Sequence, residues 1–303
     1  MYFTSLPNHK EIGFDEQLHF SKFKRHNVIF NAISNLSYCE RHVGCLSIKT
    51  VVSGEEWYNI DNREIAVRPG QFLMLNDDQE YSCRIDGPEK TNIISVFFSK
   101  DFSSSVFRDA LCNEDTLLDS PFESIGKAPE FFQTLYNNDI RLQQKLQNLV
   151  LSLNDCGYDN DRVDESLTFL LHDLLCAHKA EVHRVGRVSA IKPNTKTEIY
   201  KRLCIAKDFM HSTFMYKSDL SLMSQTACLS APQLIRQFKA VFKTTPHQYL
   251  TQIRLAYAVR LLKHSTMSVN EITLACGFED TSAFCRSFKK EYSVSPGSFR
   301  KMI

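Results

Sequence analysis

Arg236 and Lys239 stand three residues apart in a stretch whose apolar residues, Leu234, Phe238, Val241 and Phe242, fall at helical spacing. Fifty residues on, Arg286 and Lys289 stand in the same relation to Phe284, Phe288 and Tyr292. A helix that buries the aromatic stripe turns its Arg and Lys to the opposite, outward face. A forked guanidinium and a point-like ammonium, repeated on two such faces, suit contact with a polyanion. The charge distribution agrees. The formal net charge is only +1, but residues 192–303 hold 17 Lys and Arg against 7 Asp and Glu, leaving 19 against 28 upstream. A basic C-terminal third on an acidic remainder implies one part that binds a polyanion and one with a different task.

The correspondence is longer than two pairs. Leu234, Arg236, Phe238, Lys239, Phe242, Pro246 and Tyr249 recur as Phe284, Arg286, Phe288, Lys289, Tyr292, Pro296 and Phe299. Each run reads as a capped helix stopped before a proline. Ser230 opens the first, with Gln233 placed for a capping box, and Asp280 opens the second, where its carboxylate suits the helix dipole. Pro232 falls in the first turn, where its missing N–H removes no helix bond. The outward face carries Pro232, Ile235, Arg236 and Lys239 in one run and Ser282, Cys285, Arg286 and Lys289 in the other. Short helices over 220–227 and 269–276 precede them, the latter followed by Gly277 and Phe278. Helix, tight turn and a second helix with an exposed basic face is the helix-turn-helix arrangement, expected here at about 218–243 and 267–292, whose second helix (about 230–242 and 280–292) enters the major groove.

The segment RLAYAVRLLKHSTMSVNEITLACGFEDTSAFCRSFKKEYSVSPGSFRK resembles the C-terminal signature of the AraC/XylS family of bacterial transcription regulators. Arg254, Leu255, Ala258, Leu261 and Leu262 meet its RLxxAxxLL. Gly277, Phe278, Asp280, Ser282, Phe284, Arg286, Phe288 and Lys289 meet its GF-led run, and Ser295, Pro296 and Phe299 its ending. The resemblance covers residues 198–303. It implies two helix-turn-helix motifs joined by one long helix, here about 247–263, that set two recognition helices into successive major grooves of double-stranded promoter DNA. Carried over position by position, it implies DNA contacts from Pro232, Ile235, Arg236, Lys239, Thr281, Ser282, Cys285, Arg286 and Lys289. Arg236 and Arg286 would meet base edges or nearby phosphates, Ile235, Ser282 and Cys285 would touch bases, and Lys239 and Lys289 would hold phosphate. The first motif departs from the family pattern at Met223, Ser224 and Cys228, where a Leu-Ala pair and a turn glycine are usual.

These helices need a scaffold, and the rest of the chain is read for it. At 303 residues, 43% hydrophobic and 23% charged, the composition is that of a soluble globular protein with room for two domains. No run approaches the length of a spanning helix, and the start lacks the pattern of a signal peptide, so a cytoplasmic protein is expected. Residues 43–98 form six short extended runs separated by turn formers such as Ser53-Gly54, Pro69-Gly70 and Asp86-Gly87-Pro88, which favours a small antiparallel β-barrel or sandwich. Residues 139–153 and 161–183 carry leucines at helical spacing. Those stripes must bury on the barrel or on a second chain; Leu171 and Leu175 of the longer stripe are expected to hold a homodimer. Polar residues 186–197, with Gly186 and Pro193, read as a linker between residues 1–185 and 198–303. The fold expected is therefore α+β multidomain, with a barrel and helices first and an all-α double helix-turn-helix last.

The barrel pattern resembles the cupin-like sensor domain of many family members, which implies a small-molecule effector, with Trp57, Tyr58, Tyr81 and Phe97 as candidate pocket residues. The ten cysteines include no CxxC pair and are expected mostly as buried apolar residues. The segment PGQFLMLNDDQEYSC lacks the histidines of a cupin metal site, and no hydrolase elbow, P-loop or dinucleotide fingerprint occurs. No metal, cofactor or catalytic residue is expected. The leading expectation is an effector-responsive, sequence-specific regulator, by family analogy an activator working with RNA polymerase. Two alternatives stay open: a cupin-type binding protein or enzyme with an accessory basic helical domain, and an architectural DNA protein without sequence preference.

Overall fold

Strands whose residues are buried on both faces must lie inside a layered structure, and β4 (Ser47–Ser53) and β7 (Gln71–Leu75) are of this kind. The computed structural model describes residues 1–7, 14–87, 89–112, 129–137 and 140–302. They fall into two compact units, Met1–Val182 and His183–Ile303. In the N-terminal unit, β1 (Tyr2–Phe3), β2 (Val28–Ser34), β9 (Thr91–Phe97), β4, β7 and β10 (Leu135–Asn137) make one sheet in that order. A smaller sheet runs β3 (Ser37–Val43), β8 (Glu80–Ile85), β5 (Glu56–Ile60) and β6 (Arg63–Val67). Ala32, Val51, Leu73, Leu75 and Ile93 of the larger sheet interlock with Tyr58, Ile60, Ile65, Val67, Tyr81 and Ile85 of the smaller.

Of the two forms expected from strand spacing, barrel or sandwich, the unit takes the second: two sheets packed face to face. Helices supply the reason. The outer face of the larger sheet (Ile48, Phe72, Met74, Ile94 and Val96) is covered by α2 (Lys100–Leu111), α3 (Ile140–Cys156) and α4 (Asn160–Val185), so the sheet need not curl on itself to bury it. Leu142, Leu146, Leu149 and Leu153 of α3 and Leu167, Leu170, Leu171, Leu174 and Leu175 of α4 all belong to this core. The stripe expected at a dimer interface is therefore internal: Leu171 is 0% and Leu175 4% exposed. Strands β1, β2, β3 and β10 and helices α1 (Glu16–Arg25) and α2 lie outside the runs legible in the sequence.

The C-terminal unit is helical: α5 (Pro193–Thr213), α6 (Leu220–Thr226), α7 (Ala231–Phe242), α8 (Pro246–His264), α9 (Val269–Ala275), α10 (Thr281–Tyr292) and α11 (Pro296–Lys301). The linker expected at 186–197 is shorter, because Pro193 opens α5, where a proline is tolerated. Part of what remains is packed. Val188 is 2% exposed, and Ser189 exchanges two hydrogen bonds with Gln237 of α7: its N–H donates to Oε1 at 3.0 Å, and Nε2 donates to its carbonyl at 3.1 Å. Arg187 also donates to the Val241 carbonyl at 3.4 Å.

A prediction follows for the isolated C-terminal unit. A fragment starting at residue 183 is expected to be more stable than one starting at Lys192. The shorter one loses both Ser189–Gln237 hydrogen bonds and the burial of Val188; a hydrogen bond contributes about 0.5–1.5 kcal/mol. Chemical denaturation of the two fragments measures the difference, and equal midpoints with equal slopes would contradict it.

Candidate nucleic-acid interface

The two motifs are built alike down to their caps. In the first, Asp219 caps α6 by accepting from the Leu222 N–H; in the second, Ser268 and Glu271 form a full capping box on α9. The turn closes the same way in both. Cys228 donates to the Gln225 carbonyl and Leu229 to that of Ser224; Gly277 donates to Leu274 and Phe278 to Thr273. This closure needs a left-handed residue, and Cys228 (φ 51°) and Gly277 (φ 74°) supply it. Glycine does so without strain, whereas Cys228 pays for its side chain there. The second turn is one residue longer, through Glu279, which is why the repeat runs at offset 49 before the turn and 50 after it.

Ser230 caps α7 by accepting from the Gln233 N–H, but no reciprocal bond from the Gln233 side chain forms, so half of the expected capping box is present. Asp280 caps α10 by accepting from the Ala283 N–H at 2.7 Å. Both helices end on a left-handed residue, Lys243 (φ 64°) and Ser293 (φ 65°), and the next helix starts at Pro246 or Pro296 behind a capping Thr245 or Ser295. The inward stripes are buried as expected: Leu234, Phe238 and Val241 in α7, and Phe284 and Phe288 in α10. Phe288 touches Phe284, Tyr292 and Phe299, and with Leu255, Ala258 and Leu262 of α8 completes the second core. Tyr249, in the first turn of α8, packs on Phe238 and Phe242 instead, so α8 serves both motifs.

On the other face Pro232, Ile235, Arg236 and Lys239 are exposed, as are Ser282, Arg286 and Lys289. Two residues depart from this arrangement. Cys285 is half-buried against the second core, because its position on the helix lies at the edge of the Phe284–Phe288 stripe. Thr281 is half-buried and donates to Asn270 Oδ1 at 3.0 Å, tying α10 to α9. The sequence reading also missed a groove of about 900 Å³ between the motifs, lined by Ile235 and Met223 of the first, Leu274, Phe278 and Ala283 of the second, and Arg254 of α8. Ile235, an apolar residue on an otherwise polar outward face, is a sequence signal for it, but which helices face each other across it is a tertiary fact.

In the N-terminal unit three of the four candidate effector residues converge. Tyr58 and Tyr81 lie 6.1 Å apart between the sheets, and Lys49 Nζ sits 3.3 Å from the Phe97 ring centroid and 5.4 Å from that of Tyr81. Trp57 does not join them: neighbours on a strand point to opposite faces, and Trp57 lies between the guanidinium groups of Arg68 and Arg84, donating to Glu55. Lys49 is 3% exposed, and burial lowers its pKa to about 8. Glu56 is 4% exposed and accepts from the Tyr58 hydroxyl at 2.6 Å; burial raises its pKa. Three cysteines, Cys39, Cys204 and Cys276, are buried, while Cys156, Cys176 and Cys228 are exposed, so the expectation of mostly buried cysteines does not hold. Among the described residues no helix is long and apolar enough to cross a membrane, and no cluster of His, Cys, Asp and Glu could hold a metal.

Comparison with known proteins places this geometry. The family described as a helix-turn-helix domain matches residues 223–302. The transcriptional regulator MtrA of Neisseria gonorrhoeae is 39% identical over 83 residues, 27% of this chain and 28% of that protein. The transcriptional activator RhaS of Escherichia coli is 31% identical over 115 residues, 38% of this chain and 41% of that protein. The chain thus matches well under half the length of these two curated relatives. The DNA-binding domain of AdpA, solved with a target DNA, is 26% identical with a TM-score of 0.32, covering 33% of this chain and 90% of that one. The paired motifs, their shared helix and the matched residues identify the C-terminal part of this chain as an AraC-type helix-turn-helix domain.

Proposed function

We propose that the protein is a sequence-specific DNA-binding transcription regulator of the cytoplasm, in which α7 and α10 enter successive major grooves on one face of promoter DNA. The observation that carries this reading is the repetition of an exposed Arg/Lys pair at matching positions of two recognition helices with matching caps and cores. Arg236 and Arg286 read base edges, with Ile235 and Ser282 beside them, and Lys239 and Lys289 bind phosphate. Thr281 and Cys285, held partly inward, act on helix placement more than on bases. The N-terminal unit senses a small-molecule effector around Tyr58, Tyr81 and Phe97, and binding is read out through RNA polymerase as activation, the activation alone being supported by the printed name of the RhaS relative.

Two substitutions test reading against positioning on a duplex selected by the full-length protein from a randomised pool. Arg286→Ala is expected to lose about 1–3 kcal/mol on that duplex and relax the preference at one or two base pairs. Lys289→Ala is expected to weaken all duplexes alike and reduce the salt slope by about one contact. Equal losses for folded Arg286→Ala on selected and scrambled duplexes would make Arg286 a phosphate clamp.

A further inference from the structure

Arg254 opens the RLxxAxxLL run, yet it lies on none of the faces assigned to DNA. It sits midway along α8, half-buried, and its guanidinium reaches out of the helix to the segment that follows α5. Nε donates to the Phe214 carbonyl at 2.9 Å and an Nη donates to the Tyr216 carbonyl at 3.0 Å. Its other neighbour is the Phe278 ring, 5.7 Å away in the turn of the second motif. That turn closes on the same point: a Cβ added to Gly277 would stand 2.5 Å from the Phe214 carbonyl oxygen and 2.8 Å from that of Met215. Lys217, one residue beyond the segment held by Arg254, pairs with Glu279 of the same turn at 3.2 Å. Both side chains are largely exposed, so this pair adds little.

Three parts therefore meet at one backbone carbonyl: the end of α5, the middle of α8 and the turn of the second motif. Helix α8 alone sets the distance between the motifs, since its 19 residues span about 28 Å. A single shared helix leaves each motif free to roll on its own packing surface. A second attachment away from the helix axis removes that freedom, and a planar guanidinium with two directed donors fixes direction as well as distance.

We infer that Arg254 is a positioning residue, which clasps the first motif to the second and so fixes the relative orientation and phase at which the two recognition helices meet DNA. This rests on the two-helix reading proposed above. Joined contacts gain from effective concentration only when geometry lets both engage at once. Loosening the clasp should therefore weaken two-site binding while leaving each single site intact.

The test uses the full-length protein, the selected duplex, and the same duplex with either half-site scrambled. Arg254→Met is expected to lose about tenfold on the intact duplex and less than about twofold on each half-scrambled one. It should also tolerate a one-base-pair insertion between half-sites better than the wild type, with Arg254→Lys, which keeps a donor but loses the fork, in between. Equal losses on all three duplexes, or an unchanged insertion penalty, would overturn the inference. A wild type that ignores scrambling of one half-site would instead sink the two-helix reading. A DNA-free measurement then still decides the clasp: electron-electron distance distributions between labelled unnatural residues at exposed Ser221 and Glu291. One narrow distribution in the wild type that broadens in Arg254→Met upholds it, and identical distributions overturn it.

Discussion

Gly277→Ala is expected to destabilise the C-terminal unit by about 3 kcal/mol or more, the sum of a strained backbone and a displaced carbonyl. At φ 74° an alanine sits in the left-handed region, at a cost of about 1–2 kcal/mol. The added Cβ also falls 2.5 Å from the Phe214 oxygen, a backbone atom that cannot swing aside as a side chain could. Moving it breaks the Arg254 hydrogen bond, and bonds to charged groups contribute about 1.5–3 kcal/mol. The matching turn of the first motif gives the reverse expectation. Cys228→Gly relieves left-handed strain at an exposed position and should gain up to about 1 kcal/mol, offset in part by the greater backbone freedom of glycine when unfolded. Thermal unfolding of both variants reads the two signs; a Gly277→Ala variant as stable as the wild type would show that the turn does not need its glycine.

The second large effect is a stabilisation. Lys49→Met is expected to raise the stability of the N-terminal unit by about 3 kcal/mol at neutral pH, since each pKa unit is worth about 1.4 kcal/mol and Lys49 is fully buried. Nζ lies over the Phe97 and Tyr81 rings, and the buried Glu56 carboxylate attracts it without offsetting the effect of burial. Burial pulls its pKa from 10.5 to about 8, meaning that the folded state binds the proton less tightly than the unfolded one. The penalty is fully present below pH 8 and fades as pH rises toward 10.5, where the unfolded lysine also loses its proton. The advantage of Lys49→Met should shrink over that window. Glu56, Cys45 and Cys83 feel the Lys49 charge, so the difference between the two curves reads Lys49 together with its effect on these three. A variant less stable than the wild type at pH 7 would mean that the ammonium is compensated inside the sandwich.

Much of the C-terminal unit was legible because its information is local. Periodicity, caps, prolines and the repeat lie within a few residues of the positions they govern, and Leu234, Phe238, Phe284 and Phe288 are buried where the spacing puts them. What escaped depends on partners distant in sequence. Gln237 looks like a surface residue until Ser189 is seen to saturate it, and Arg254 until two carbonyls about forty residues earlier are seen to accept from it. In the N-terminal unit the strand runs were readable but the layer was not: whether a leucine stripe on α4 meets a sheet or a second chain is decided by the helices over that sheet, and it met the sheet. That Trp57 lies apart from Tyr58 follows from strand alternation, since a residue next to inward Tyr58 points outward.

The two-helix reading is tested most directly by methylation interference at guanine N7 on the selected duplex, because that atom lies in the major groove. Two clusters of interference on one face, about 10 base pairs apart, are expected, the one that depends on Arg286 vanishing in Arg286→Ala. A single cluster, or tight binding with no interference in the major groove, would contradict the placement of α7 and α10 in successive grooves.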